Sequence, residues 1–195
     1  MNYPITFTFK LLALGTSVFV RDAGGNLLGF VKKKKFKLKE DINVFADENQ
    51  TQLLFNIKAD RVIDFSAKYN FTDASGRLLS SIKRQGMRSI WKSHYQIQDP
   101  NDQMILEIHE ENAWVKVIDA VVGQLPIIGM FTGYLFNPAY IVTRTDNTAV
   151  ARLQKQPAFF EGKFEVSTQA QLAQSEESIV LLGLLTMTLL ERGRG

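Results

Sequence analysis

No cysteine occurs in the 195 residues, which rules out a disulfide framework, a thiolate nucleophile and a cysteine-ligated metal, and suits a reducing compartment. Only two histidines are present, His94 and His109. His109-Glu110-Glu111 has no repeated ligand spacing, so both imidazoles are assigned structural or solvated roles rather than a metal or acid-base site. The Gly-x-Ser-x-Gly elbow, the phosphate loop, the dinucleotide fingerprint and the Asp-rich calcium loop are all missing. No catalytic residue, cofactor or metal is therefore assigned, and the expectation is a non-enzyme. The first residues, Met-Asn-Tyr-Pro-Ile-Thr-Phe-Thr-Phe-Lys, lack a basic leader and alternate Ile5, Phe7 and Phe9 with Thr6 and Thr8, the pattern of a strand rather than a signal peptide.

Composition is that of an ordinary globular protein, 45% hydrophobic and 22% charged, and excludes disorder. The net charge of +3 conceals an imbalance. Residues 1–95 carry 16 Lys or Arg against 8 Asp or Glu, whereas residues 96–195 carry 7 against 12. The first half is thus +8 and the second −5, which makes a basic face an expectation for the first half.

The longest strongly apolar run is Ile179–Leu190, in which nine of twelve residues are large and apolar. At 100° per residue these point in all directions, so the run predicts a helix surrounded by protein. Twelve helical residues rise only about 18 Å, against a hydrocarbon core of roughly 30 Å, which argues against a membrane span. Gly183 and Thr186 leave a narrow stripe on which a strand can approach closely. Glu176 and Glu177 before the run, and Arg192 and Arg194 after it, agree with the helix dipole.

A second pattern repeats. Val20-Arg-Asp22 leads to Leu27-Leu28, Phe45-Ala-Asp47 to Leu53-Leu54, Phe71-Thr-Asp73 to Leu78-Leu79, and Ile97-Gln-Asp99 to Met104-Ile105, with the acids 25, 26 and 26 residues apart. A degenerate fifth copy is Val142-Thr-Arg144 with Asp146-Asn147. Each copy reads as a β-hairpin in which Asp caps the turn, and that accounts for the recurring acids better than paired-carboxylate catalysis does. Period-two alternation over Ile63–Phe71 and Phe160–Val166 gives strands one buried face. The predicted fold is mainly β: a closed barrel of about twelve strands built from repeated hairpins around a central hydrophobic C-terminal α-helix. One additional amphipathic helix is expected near 111–124, from Trp114, Val117, Ile118, Val121, Val122 and Leu125. The uncharged stretch 120–143, broken by Pro126 and Pro138, reads as a buried connection rather than a membrane span, and residues 1–195 read as one domain. Trp91 and Trp114 read as core or staple residues.

The hairpin units, their Leu-Leu pairs, Phe159-Phe160-Glu-Gly-Lys-Phe164 and the closing apolar helix together resemble the LURP-one-related group. That group shares a superfamily with phospholipid scramblases and the tubby C-terminal domain. His109-Glu110-Glu111-Asn112 with Trp114, Leu125-Pro126-Ile127 with Thr132-Gly133-Tyr134, and the ending Leu189-Leu190-Glu191-Arg192-Gly193-Arg194-Gly195 are similar to bacterial members. The resemblance implies a twelve-stranded closed barrel around a central helix. It also brings to mind phosphoinositide head groups, associated with tubby domains, and lipid movement, associated with scramblases.

The densest polar feature is Lys32-Lys33-Lys34-Lys35-Phe36-Lys37-Leu38-Lys39. On a strand, Lys33, Lys35, Lys37 and Lys39 would share one face at about 7 Å spacing, and Lys32 and Lys34 the other. Together with Lys83 and Arg84, these residues are the candidate anion- and lipid-binding set, suited to the phosphates of an anionic phospholipid or membrane surface. The plain alternative is a solubilising edge strand. A second functional reading is a protein-interaction or regulatory scaffold, with a protein partner and no lipid binding. Nucleic acid is disfavoured because no reader motif accompanies the charge. The expected location is cytoplasmic, peripheral to a membrane.

Overall fold

In the computed structural model, residues 1–12, 15–34, 41–61, 67–85, 94–111, 139–157 and 162–192 are described. Twelve strands follow one another: β1 (Ile5–Leu12), β2 (Gly15–Arg21), β3 (Leu27–Lys34), β4 (Asp41–Phe45), β5 (Leu53–Ala59), β6 (Lys68–Asp73), β7 (Leu78–Arg84), β8 (His94–Gln98), β9 (Met104–Glu110), β10 (Ala139–Arg144), β11 (Ala149–Gln156) and β12 (Gly162–Thr168). Each pairs antiparallel with its sequence neighbours, and β1 pairs with β12, so the meander closes into a barrel without free edges. Helix α1 (Gln174–Arg192) follows the last strand.

Closure and helix solve one problem together. The inward positions of the strands, among them Phe7, Phe9, Val18, Ile57, Phe71, Ile82, Ile97, Ile108, Leu153 and Val166, are buried in a single cluster with Val180, Leu181, Leu182, Leu184, Leu185, Met187 and Leu189 of α1. The run expected to form a core pin does so, and every residue from Val180 to Leu189 is buried. Two of the buried hydroxyls belong to α1 and are satisfied by its own backbone, whereas the Ser80 hydroxyl on β7 is buried with no partner among the described residues. Thr186 donates to the Leu182 carbonyl and Thr188 to the Leu184 carbonyl, each at 2.7 Å.

The five repeat copies share one geometry. Measured from Asp22, Asp47, Asp73, Asp99 and Arg144, the residue three positions on has positive φ: Gly25, Gln50, Gly76, Asp102 and Asn147. In every copy the N–H of that residue donates to the carbonyl of the first, and in every copy the ladder shifts register just ahead of it. The acid side chain completes the turn. Asp99 Oδ1 accepts the N–H groups of Asn101 and Gln103 at 2.9 Å, Asp73 Oδ1 those of Ser75 and Arg77 at 3.0 and 3.1 Å, and Asp47 Oδ2 the hydroxyl and N–H of Thr51 at 2.8 and 3.0 Å. The Leu-Leu and Met-Ile pairs then open β3, β5, β7 and β9.

The degenerate fifth copy has its own use. Where the other four carry Asp, Arg144 extends its guanidinium to both carboxylate oxygens of Glu176 at 2.8 Å and to the Gln171 carbonyl, pinning the start of α1 to the barrel. Asp146 takes over the capping, accepting the Thr148 N–H at 2.9 Å.

Acid should loosen these turns. Hydrogen bonds from the Asn26, Thr51 and Ser75 side chains hold the carboxyls of Asp22, Asp47 and Asp73 below their ordinary range. The Thr148 N–H does so for Asp146, and the Arg144 side chain for Glu176. A carboxyl with a lowered folded-state pKa contributes stability that is complete above its unfolded value, about 4, and lost as pH falls through the folded value. Thermal melts should therefore show Tm falling as pH drops below about 4, with a shallower fall in Asp47→Asn and Asp73→Asn. A flat profile in the unsubstituted protein would contradict this.

Several sequence expectations fall on other residues. Of the amphipathic helix near 111–124, all but Glu111 lies outside the described residues, as do Trp91, Trp114 and the stretch 62–66. Within the uncharged stretch 120–143, residues 139–143 belong to β10 and the remainder lies outside the described residues.

Candidate functional site

The up-and-down topology gives the barrel two unlike ends. The turn end holds all five repeat turns and the start of α1; the far end holds the other ends of the strands and the C-terminus of α1. Charge divides the same way. At the turn end lie Asp22, Asp47, Asp73, Asp99, Asp146, Glu176 and Glu177, and its cations are paired: Arg77 with Asp73 at 3.0 Å, Arg144 with Glu176 at 2.8 Å, Arg21 with Glu48 at 3.6 Å, and the terminal amine with Glu177 at 3.4 Å.

At the far end, seven of the twelve strands place a cation within three residues of the strand terminus: Lys10 on β1, Lys32–Lys34 on β3, Lys58 on β5, Lys68 on β6, Lys83 and Arg84 on β7, Lys155 on β11 and Lys163 on β12. Arg192 ends α1. Several of the described acids at this end are engaged. Asp60 pairs with Arg61 at 3.2 Å, Glu111 with Arg152 at 2.8 Å, and Asp41 accepts from Asn56. Among the described residues, no salt bridge joins Lys32, Lys58, Lys83, Arg84, Lys155 or Lys163 to an acid.

Strand alternation sorts these cations. Lys10, Lys32, Lys58, Lys83 and Lys163 are exposed and alternate with the inward Phe9, Val31, Ile57, Ile82 and Phe164, so they ring the exterior. Arg84 and Lys155 fall in phase with the inward Ile82 and Leu153 and are half-buried at the mouth. On the outer face beside Lys32, Phe19 and Phe30 pair with ring centroids 5.1 Å apart, and the Lys10 ammonium sits 5.3 Å above the Phe19 ring.

Of the residues singled out from sequence, Lys32, Lys33 and Lys34 are the last three of β3, in register with Ser17, Thr16 and Gly15. Lys35, Lys37 and Lys39 lie outside the described residues. Lys83 and Arg84 end β7 at the same end of the barrel, but four strands away, about 19 Å along the wall at the usual strand spacing. They share an end with the lysine run rather than a contiguous patch. The two histidines face each other across β8 and β9, with His94 Nε2 3.4 Å from Glu107 Oε1.

Sequence reasoning missed Lys10, Lys58, Lys155, Lys163 and Arg192. Each stands apart from the others in the chain, and only a count of cations at alternate ends of successive predicted strands would have grouped them.

Inside the mouth, a cavity of about 160 Å³ is walled by Lys155, Arg192, Glu191, Tyr140 and Thr188, with Phe164 and Met187 as its apolar lining. Glu191 accepts a hydrogen bond from the Tyr95 hydroxyl. Burial, and then this carboxylate, push the Tyr95 phenol well above its ordinary pKa, so it remains a donor. The Arg192 guanidinium lies 4.9 Å from the Phe9 ring centroid and against the backbone of Gly162, where a side chain would collide with it. Although Arg192 as a residue is exposed, its head group is partly desolvated there, which lowers its pKa.

A closed antiparallel barrel of twelve strands around its own C-terminal helix defines the tubby-like class of folds. Residues 27–171 match the family model described as LURP-one-related, and the chain belongs to that family. The matched span runs from β3 through β12 and stops short of α1. A search of curated proteins returned no match. The family and the barrel fit a non-catalytic domain, and no helix among the described residues is long and apolar enough to cross a membrane.

Proposed function

We propose that this barrel is a non-enzymatic module that docks on anionic membrane surfaces through the lysine run that ends β3 and the cations sharing its end of the barrel. One observation carries the reading. Among the described residues, the exposed Lys32, Lys58, Lys83 and Lys163 have no acidic partner and gather at one end, while most of the acids lie at the other or are already paired. A body polarised in this way turns its basic end toward a negative surface before contact and holds it there afterwards. Such attraction contributes about 1 kcal/mol per lysine at the surface and fades within a Debye length, near 10 Å at 0.1 M salt.

Co-sedimentation with vesicles tests this. Binding is expected to phosphatidylcholine vesicles containing phosphatidylserine, not to phosphatidylcholine alone, and to weaken as salt rises. Replacing both Lys32 and Lys83 with Gln should weaken it by roughly 10- to 30-fold, the product of two such contributions. Undiminished binding in that variant, or none at low salt, would remove the proposal. In the latter case, a stoichiometric protein partner in pull-downs would favour the scaffold reading.

A further inference from the structure

We infer that the cavity at the mouth of the barrel, between Lys155 and Arg192, binds a single phosphate-type oxyanion. The inference does not rest on membrane docking, because these cations are separate from the exterior lysines. Lys155 is half-buried on the inward side of β11, in phase with Leu153, yet it has neither a hydrogen bond nor an ion pair among the described residues. The Arg192 guanidinium lies over Phe9 and against Gly162, and among the described residues no hydrogen bond or ion pair engages its N–H groups, which can therefore donate to an oxyanion. Among the described residues that line the cavity, the one carboxylate is Glu191, which is already held by the Tyr95 hydroxyl.

The sum of charges decides the sign of the ligand. Arg84, close enough to act on the Tyr95 hydroxyl, joins Lys155 and Arg192 as a third cation at the mouth. Against them stand Glu191, Glu110, which is in phase with the inward Ile108 and opposite Tyr140, and the negative end of α1, worth about half a charge and confined to its last turn. The remainder is positive, so an anion is favoured over a cation. A volume of about 160 Å³ equals roughly five water molecules of liquid. That suits one phosphate and the first atoms of its ester, and it falls below the 300 Å³ or so at which drug-sized pockets begin. The apolar side chains of Phe164 and Met187 lower the local dielectric on their side of the cavity, which strengthens a charge-assisted hydrogen bond made there.

Calorimetric titration and thermal melts of the full chain with inorganic phosphate and with glycerol 3-phosphate, against chloride at equal ionic strength, test the site. Phosphate should bind with one-to-one stoichiometry and raise Tm. Lys155→Met and Arg192→Met should each weaken binding by about tenfold or more, as loss of a charge-assisted contact does. Lys163→Gln, exposed on the outer wall, should leave binding unchanged. Should Arg192→Met not fold, Lys155→Met carries the test alone. A phosphate response no greater than that of chloride, or one undiminished in Lys155→Met, overturns the inference.

Vesicles containing phosphatidic acid separate the two sources of the anion. Vesicle binding that depends on Lys155 points to a lipid head group. Phosphate binding without such dependence points to a free phosphate. Phosphate binding that survives Lys32→Gln with Lys83→Gln while vesicle binding is lost shows that the cavity and the docking surface act separately.

Discussion

Replacing Leu184 with Ala should lower the free energy of unfolding by about 2–5 kcal/mol, and replacing it with Asp should leave no cooperative unfolding transition. Leu184 lies on the axis of the barrel with no exposed surface. Strands surround it on all sides, so a void left by truncation cannot be closed by one wall moving inward without straining a ladder that runs unbroken round the circle. The cost of Leu184→Ala should therefore fall in the upper part of that range. An aspartate there would be buried with no partner, a penalty on the scale of the whole stability of a domain of this size. Urea unfolding followed by tryptophan fluorescence and near-ultraviolet circular dichroism checks both. A Leu184→Ala loss below about 1 kcal/mol would mean that the helix is not the pin of the barrel.

Gly183→Leu should destabilise by more than about 3 kcal/mol, and the cause should be traceable to one neighbour. A Cβ on Gly183 would lie 2.5 Å from Ile97 Cδ1 and 3.5 Å from Ile108 Cδ1, because β8 and β9 approach the helix where it has no side chain. Ile97 is itself fully buried and has little room to yield. Gly183→Ala sets two effects against each other: a gain in helix propensity of about 1 kcal/mol and an overpacking cost of about 1–3 kcal/mol. Its net effect should be a modest loss. Ile97→Val removes the atom in the way and by itself costs about 0.5–1.5 kcal/mol. Combined, Gly183→Ala and Ile97→Val should cost less than the sum of the two, and a double-mutant cycle by urea unfolding measures the difference. Simple additivity would mean that the glycine serves some purpose other than close approach.

Much of this architecture can be read from local pattern. The all-round apolar run predicts a buried helix because no other surroundings suit nine large apolar side chains in twelve residues. The spacing of Asp22, Asp47, Asp73 and Asp99 predicts hairpins because a carboxylate that accepts the N–H groups of the residues just after it favours a tight turn. Even the degenerate fifth copy keeps that turn, with Arg144 in the acid's place. The near-equal spacing of the copies and the period-two strands between them suffice to suggest a closed meander.

The candidate site was legible only in part. The lysine run stands out because its charges are adjacent in the chain, so Lys32 to Lys39 could be named at once. Arg84 was named for being next to Lys83, yet alternation sends the two to opposite faces of β7: Lys83 to the exterior and Arg84 to the mouth. The contrast between the two halves of the chain, +8 and −5, suggested a basic face; folding turned it into an acidic end and a basic end.

Sequence alone determined the elements of this protein, the turns between them and the helix at their centre, since those depend on residues a few positions apart. Tertiary structure decided which charges meet. Lys155 and Arg192 are 37 positions apart and come to one cavity only because β11 ends where α1 ends. Such a meeting depends on the register of twelve strands and on the pitch of a helix threaded through them, a global property that no short stretch of chain encodes.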